Sequence, residues 1–280
     1  MKRTVGFQGE LGAFSQVAAS QLAPGHTPIP FGSFDQVFEA AANGKVSAAV
    51  IPIENTLHGS VHENYDHLLK YNLPIQGETF VRIVHNLIVP PKVKRAQIRR
   101  VYSHPVALNQ CRHFFENNPG FEKTSFYDTA GSVKMLMEQD LKDAGAIASA
   151  TAAEIYGARI LEKSIEDDRQ NYTRFFLLNK PSSKGSAKRI PEIRYKTSVV
   201  FTTRNIPGAL FRALSAFALR DLNLTKIESR PLRGTPWDYL FYVDFIGHTD
   251  DQVTGYALGH LAEVADMWRV LGCYPAAGIQ

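Results

Sequence analysis

The chain has 280 residues, of which 44% are hydrophobic and 21% charged, a balance that excludes a disordered chain and leaves room for about two globular domains. Its net charge of +4 is mild, and the basic runs Lys92 to Arg100 and Lys184 to Arg194 are not interleaved with exposed aromatics. That pattern argues against nucleic acid and suits small anionic ligands equally well. No signal-peptide core and no run near 18 apolar residues is present, so no membrane partner is expected. Cys111 and Cys273 stand far apart and match no metal-ligand spacing, which reads as free thiols in a reducing compartment, the cytoplasm being the natural one.

Taken in chain order, short apolar strands alternate with amphipathic helices, the pattern of a mostly parallel sheet with helices on its faces. Strand is expected over Thr4 to Phe7, helix over Ala13 to Leu22, strand over Pro28 to Phe31, helix over Phe34 to Ala42, strand over Ala48 to Ile53 and helix over Val61 to Tyr71. A second lobe follows: strands Ile83 to Val89 and Arg100 to Ser103, helix Val106 to Asn117, strand Phe121 to Phe126, helix Thr129 to Glu138, strand Ala144 to Ser149 and helix Thr151 to Tyr156. Strand Arg174 to Leu178 closes the series. Two such lobes imply a hinged cleft between them, with boundaries at 1–78 plus 170–180 and at 79–169.

Residues 181–194 read as a linker, opening with the small, polar run Pro181 to Lys188. Over 195–275 the expected order is strand Thr197 to Thr203, helix Pro207 to Leu219, strands Leu224 to Arg230 and Tyr239 to Ile246, helix Asp251 to Ala265 and strand Trp268 to Gly272. This is the βαββαβ order of a ferredoxin-like module, whose open sheet edge invites a partner subunit.

Polar groups gather at strand ends. Gly6, Gly9 and Gly12 precede the first helix in a GxxGxxG spacing that lacks the dinucleotide fingerprint, so a carboxylate, helped by the Ser15 hydroxyl, is expected there rather than a nucleotide. Asn55 and Thr56 end one strand, Ser103 and His104 another, and Gln110 lies a few residues beyond. Thr173 and Arg174 open the strand that closes the series, and offer a hydroxyl and a fixed positive charge to the cleft. His58, His62 and His67 do not fit a zinc motif, so no metal is expected. With hydroxyls and amides in excess of strong acids and bases, the chemistry called for is orientation and charge placement.

The ordered set Pro52-Ile53-Glu54-Asn55-Thr56, Ser103-His104-Pro105 with Gln110, Asn171-Tyr172-Thr173-Arg174-Phe175, Gly208-Ala209-Leu210 and Glu228-Ser229-Arg230-Pro231 resembles the prephenate dehydratases, and the resemblance runs over almost the whole chain. It implies a catalytic domain over 1–180, two α/β subdomains resembling type II periplasmic binding proteins, followed by a regulatory ACT domain that binds phenylalanine. It further implies that Asn55, Ser103, Gln110, Thr173 and Arg174 are catalytic, that Ser15 and Thr56 help bind substrate, and that no cofactor is needed. The effector L-phenylalanine is expected between paired ACT domains of a dimer or tetramer, near Pro207, Gly208, Ala209, Leu210, Asn223, Leu224, Thr225, Glu228, Ser229 and Arg230. The implied reaction is conversion of prephenate to phenylpyruvate, by an enzyme without a chorismate mutase domain. An arogenate dehydratase and a non-catalytic amino-acid sensor are the alternatives.

Overall fold

A computed structural model of the chain describes residues 3–180, 189–232 and 238–278 and divides into two compact units. One holds the stretch up to Tyr71 together with Thr79–Leu177, the other Asn72–Glu78 and Leu178–Gly278. Of the expected linker, 181–188 lies outside the described residues.

The first unit begins with β1 (Thr4–Gln8), α1 (Phe14–Leu22), β2 (Thr27–Phe31), α2 (Phe34–Ala42), β3 (Ala48–Asn55), the two-residue β4 (Gly59–Ser60) and α3 (His62–Tyr71). It continues through β5 (Ile75–Arg82), which enters this unit at Thr79, then β6 (Asn86–Val89), β7 (Arg100–Ser103), α4 (Pro105–Asn109), α5 (Arg112–Glu116) and β8 (Glu122–Ser125). Next come α6 (Thr129–Glu138), β9 (Ala144–Ala148), α7 (Ala150–Ile155), β10 (Arg159–Glu162) and β11 (Tyr172–Asn179), which stays in the unit through Leu177. One sheet has the order β5-β11-β3-β1-β2, with β1 parallel to both its neighbours. The other has the order β10-β6-β9-β7-β8, in which β7 is parallel to β8 and β9 while β6 runs antiparallel to β9 and β10.

Local chemistry explains the element starts. The Ser33 hydroxyl accepts from the Gln36 amide at the head of α2, Asp128 accepts from Gly131 at α6, and Ser149 accepts from Ala152 at α7. β9 is Ala-Gly-Ala-Ile-Ala and wholly buried, because it lies between β6 and β7 in its sheet and α6 packs against it. Around it Phe7, Ile88, Val133, Leu136 and Ala152 form one apolar cluster, each large member contributing roughly 1.5–3 kcal/mol by burial.

One expected helix is broken. Instead of a single helix over Val106 to Asn117 the chain forms α4 and α5, because the Asp167 carboxylate accepts from the amides of Arg112 (2.8 Å) and His113 (3.0 Å) and so starts a new helix. Asp167 also donates its own amide to the Gln110 carbonyl at 2.8 Å. Gln110 thereby becomes a helix end rather than a mid-helix residue.

The second unit contains β12 (Tyr195–Thr202), α8 (Ala209–Ala218), β13 (Leu224–Pro231), β14 (Tyr239–Ile246), α9 (Gln252–Val264) and β15 (Met267–Pro275), the βαββαβ order. Its sheet runs β13-β14-β12-β15, every adjacent pair antiparallel, and Ile75 pairs in parallel with Gly272. Val199, Phe201, Val243 and Phe245 face Ala213, Phe217, Leu258 and Leu261 of the two helices. Residues 189 and 190, expected in the linker, are already engaged here: Arg189 pairs with Asp251 at 2.7 Å and Ile190 donates its amide to the Tyr195 hydroxyl. Within the same unit Lys196 and Glu78 form a buried ion pair at 2.7 Å, and the Ala277 amide donates to the same carboxylate oxygen, the extra bond such a pair needs out of water.

Candidate active site

At the end of β3 the Asn55 side chain is fully committed. Its Nδ2 donates to Asn171 Oδ1 (2.8 Å), Thr173 Oγ1 (3.0 Å) and the Tyr172 carbonyl (3.2 Å), while its Oδ1 accepts from the amides of Leu57 (2.9 Å) and His58 (3.0 Å). One amide thus ties the turn after β3 to the start of β11. Because Thr173 Oγ1 accepts from Asn55, the hydroxyl keeps its own proton to donate, and the donation it receives strengthens that proton as a donor.

Thr173 and Asn55 line a cavity of about 330 Å³, together with Gln8, Phe14, His58, Val61, Ile83 and His85 on one side and His104, Val106, Ala107, Gln110, Tyr127, Asp128 and Thr129 on the other. A bonded path crosses it. Gln110 Oε1 accepts from His85 Nε2 at 2.8 Å, which places a proton on that nitrogen, and Gln110 Nε2 lies 3.2 Å from His58 Nδ1, which is also 3.3 Å from Asn55 Oδ1. The His85 amide in turn donates to Glu166 Oε2 (3.0 Å), whose other oxygen pairs with Arg82. His85 itself is buried, and burial pushes its imidazole below the ordinary value, against the opposing effects of the Gln110 bond and the Glu166 charge. On the far side His104 Nδ1 accepts from the Val106 amide, which leaves its Nε2 as the donor.

Several expected site residues take other places. Arg174 follows Thr173 on a strand, so its side chain lies on the opposite face. There it is buried, 4.0 Å from Glu54 and over the Phe176 ring at 4.7 Å, and it does not line the cavity. The expectation that Thr173 and Arg174 point together into the cleft is therefore corrected. Ser103 is fully buried and donates to the Ile147 carbonyl at 2.6 Å instead of facing the cavity. The Thr56 hydroxyl donates to the Gln170 carbonyl (2.9 Å) and accepts from the Tyr172 amide (3.0 Å), a second clasp between β3 and β11. Ser15 lies in the first turn of α1 and is not among the lining residues.

Three amides of the glycine loop are spent within the chain and do not cradle an anion. Gly9 donates to the Phe31 carbonyl, Gly12 to Gln16 Oε1 at 2.6 Å and Ala13 to the Glu10 carbonyl. Gly12 is required for another reason: with φ at +92°, a β-carbon there would stand 2.6 Å from the Ala152 α-carbon, so only glycine lets this loop reach α7. The Ser149 hydroxyl completes that junction by donating to the Gly12 carbonyl.

In the second unit Gly208 caps α8 in the left-handed region (φ +77°), and Ala209 and Leu210 line a small cavity of about 120 Å³ with Thr203, Arg204, Asn205, Ile206, Asp238, Tyr239 and Phe241. Asn223 to Arg230 do not line it. The Asn223 carbonyl accepts from the Ile246 amide, and Leu224 to Arg230 run along the edge strand β13.

The family model for prephenate dehydratase matches residues 5–183 and that for the ACT domain residues 197–254. A relative named arogenate dehydratase/prephenate dehydratase 2, chloroplastic, from Arabidopsis thaliana is 45% identical over 97% of this chain and 72% of its own length. Among solved structures, the prephenate dehydratase of Arthrobacter aurescens in complex with L-Phe superposes with a TM-score of 0.88 at 32% identity, over 98% of this chain and 92% of that one. A structure described as a novel type of quorum quenching acylase does so at 0.90 and 34%, over 98% of both chains. The chain belongs to the prephenate dehydratase family and carries the ACT domain of its regulated members.

His85 allows a test of the site's burial by pH. Between its depressed folded value and an unfolded value near 6.5, the unfolded chain binds a proton that the folded chain does not, so stability rises with pH across that window and is lost as pH falls below about 6.5. Stability of the first unit, followed by hydrogen exchange at pH 7.5 and 5.0, is expected to fall on acidification with a slope that approaches 1.4 kcal/mol per pH unit at most from this group. His85→Asn is expected to flatten the slope, whatever it does to the absolute stability.

Proposed function

We propose that the cavity between the strand ends catalyses decarboxylative dehydration of prephenate to phenylpyruvate, a step toward phenylalanine. In this reaction the ring carboxylate leaves as carbon dioxide, its bonding pair enters the ring, the ring hydroxyl departs with one added proton as water, and the ring becomes aromatic. No electron acceptor is needed, since the pair released by decarboxylation expels the hydroxyl with its own bonding pair, and aromatisation drives the step. The observation that carries the reading is the Asn55 to Thr173 hydrogen bond at 3.0 Å in the cavity wall, which leaves the Thr173 proton available for the departing hydroxyl. Gln110, with His58 and His85 held on either side, orients the substrate, and positioning of this kind can supply several kcal/mol of the barrier. His104 Nε2, Gln8 and Thr129 are the donors at hand for a carboxylate. Ser103, Thr56 and Arg174 support these groups from behind, Arg174 through Glu54 on the other face of β11 and β3.

A second reading, dehydration of arogenate by the same chemistry, is favoured by the 45% identity to a relative whose name includes both activities. Regulation follows from the ACT domain: L-phenylalanine occupies the space beside Gly208, Ala209 and Leu210, closed by a second copy of the chain. The exposed Phe211 on α8, Leu219 just after it and the edge strand β13 are the surfaces available for that homo-oligomer, a dimer or a tetramer. A cytoplasmic location is proposed on the two free cysteines, Cys111 buried with its thiol pushed well above the ordinary range chiefly by burial; no described helix is long and apolar enough to cross a membrane.

The direct test is phenylpyruvate formation from prephenate. Thr173→Val, which keeps the shape and removes the hydroxyl, is expected to lower kcat by about 10²–10⁴ with little change in KM, and Thr173→Ser to recover most of it. Wild-type turnover in Thr173→Val, with the fold intact by circular dichroism, contradicts the assignment. Titration calorimetry is expected to show L-phenylalanine binding, with turnover falling at saturation; no heat of binding at millimolar ligand contradicts the regulatory reading.

A further inference from the structure

The cavity carries an anionic side chain where a dicarboxylate is to bind. Among the described residues lining it there is no Lys and no Arg, yet Asp128 is present. Oδ1 of Asp128 accepts from the Gly131 amide at 2.8 Å and caps α6. Oδ2 faces Gly9, where a β-carbon would come within 3.1 Å, so glycine keeps the approach to this oxygen open. A cap can do without a charge, since Ser33 and Ser149 cap α2 and α7 with neutral hydroxyls.

The neighbouring carboxylate is already answered. Glu10 accepts from the Tyr127 hydroxyl at 2.8 Å and pairs with Lys134 at 3.2 Å. Among the described residues no Lys or Arg pairs with Asp128, which has the Ala130 and Gly131 amides and the His104 ring nearby. Burial outweighs these and, with the nearby Glu10 charge, raises its carboxyl from the ordinary value. The same cavity is built for a polar ligand: His85, 2% exposed, lines it, and its Nδ1 is buried without a hydrogen-bond partner.

We propose that Asp128 recognises the ammonium group of an amino-acid substrate, so that this site prefers arogenate to prephenate. The inference rests on the dehydratase chemistry above and, of its two readings, favours the second. The two substrates share both carboxylates and the ring hydroxyl; arogenate bears an ammonium where prephenate bears a keto oxygen. An ammonium beside Asp128 makes a charge-assisted hydrogen bond, whereas a keto oxygen there sets acceptor against acceptor. A site that holds a carboxylate for a missing donor rejects the analogue strongly, because its own charge is left unpaired.

The experiment is kcat/KM on arogenate and on prephenate for the wild type, Asp128→Ser and Asp128→Asn. Both variants keep a cap oxygen for α6 and remove the charge, so failure of one to fold leaves the other. The wild type is expected to favour arogenate, and each folded variant to move the ratio toward prephenate at least tenfold, mainly through KM for arogenate. A smaller shift, with both substrates losing together, makes Asp128 a cap only and overturns the proposal, as does a wild type that favours prephenate. A wild type that turns over neither substrate overturns the dehydratase reading itself, and this assignment with it.

Discussion

Everything in the site hangs on two strands exchanging side chains on both of their faces. Asn55 and Glu54 are consecutive on β3, Thr173 and Arg174 consecutive on β11. On the cavity face Asn55 donates to Thr173 at 3.0 Å, and on the other face Glu54 lies 4.0 Å from Arg174. The period of two along a strand makes this double pairing possible, since adjacent residues must part to opposite faces. Asn55 also holds Asn171, the Tyr172 carbonyl and the amides of Leu57 and His58, so no rotation of its side chain is free of cost. The hydroxyl of Thr173 is thereby placed by a network in which every partner is itself placed.

The opposite wall is set by a different device. Asp167 starts α5 and so stops α4, which turns Gln110 into a helix end able to bond His58 and His85 at once. His85 is held in place by Glu166, one residue before Asp167, whose carboxylate takes its amide and pairs with Arg82. A short acidic stretch thus secures His85 and Gln110 on the path that crosses the cavity, while Asn55 holds its other end at His58. The glycine loop contributes by proximity: Gly12 lets the turn after β1 lie against Ala152, and this brings Gln8 and Phe14 to the cavity.

The alternation of strands and helices, and the βαββαβ module, were readable because hydrophobic periodicity is local. Asn55 and Thr173 were readable as polar residues at strand ends, and Gln110 as a polar residue in the helix after one. The split of α4 from α5 was not, because its cause, Asp167, stands more than fifty residues away in sequence. β5 was missed through its polar stretch Gln76 to Thr79, in which Glu78 is satisfied by Lys196. Arg174 could have been placed correctly, since strand alternation alone separates it from Thr173. Ser103 ends a strand as expected, yet its hydroxyl is spent on a neighbouring strand's carbonyl, which no local pattern announces. His85 and Asp128 went unremarked; Asp128 carried a signal, a charged cap just after a strand at the carboxyl edge of a sheet.

The claim at the centre is that Asn55 acts through Thr173, as one unit with it. A double-mutant cycle on kcat with prephenate or arogenate, using Asn55→Ala, Thr173→Ala and the double variant, tests it most directly. The account predicts a double variant no slower than the worse single one, a coupling close to the whole effect of either change. Losses that simply multiply would show two independent groups and contradict it.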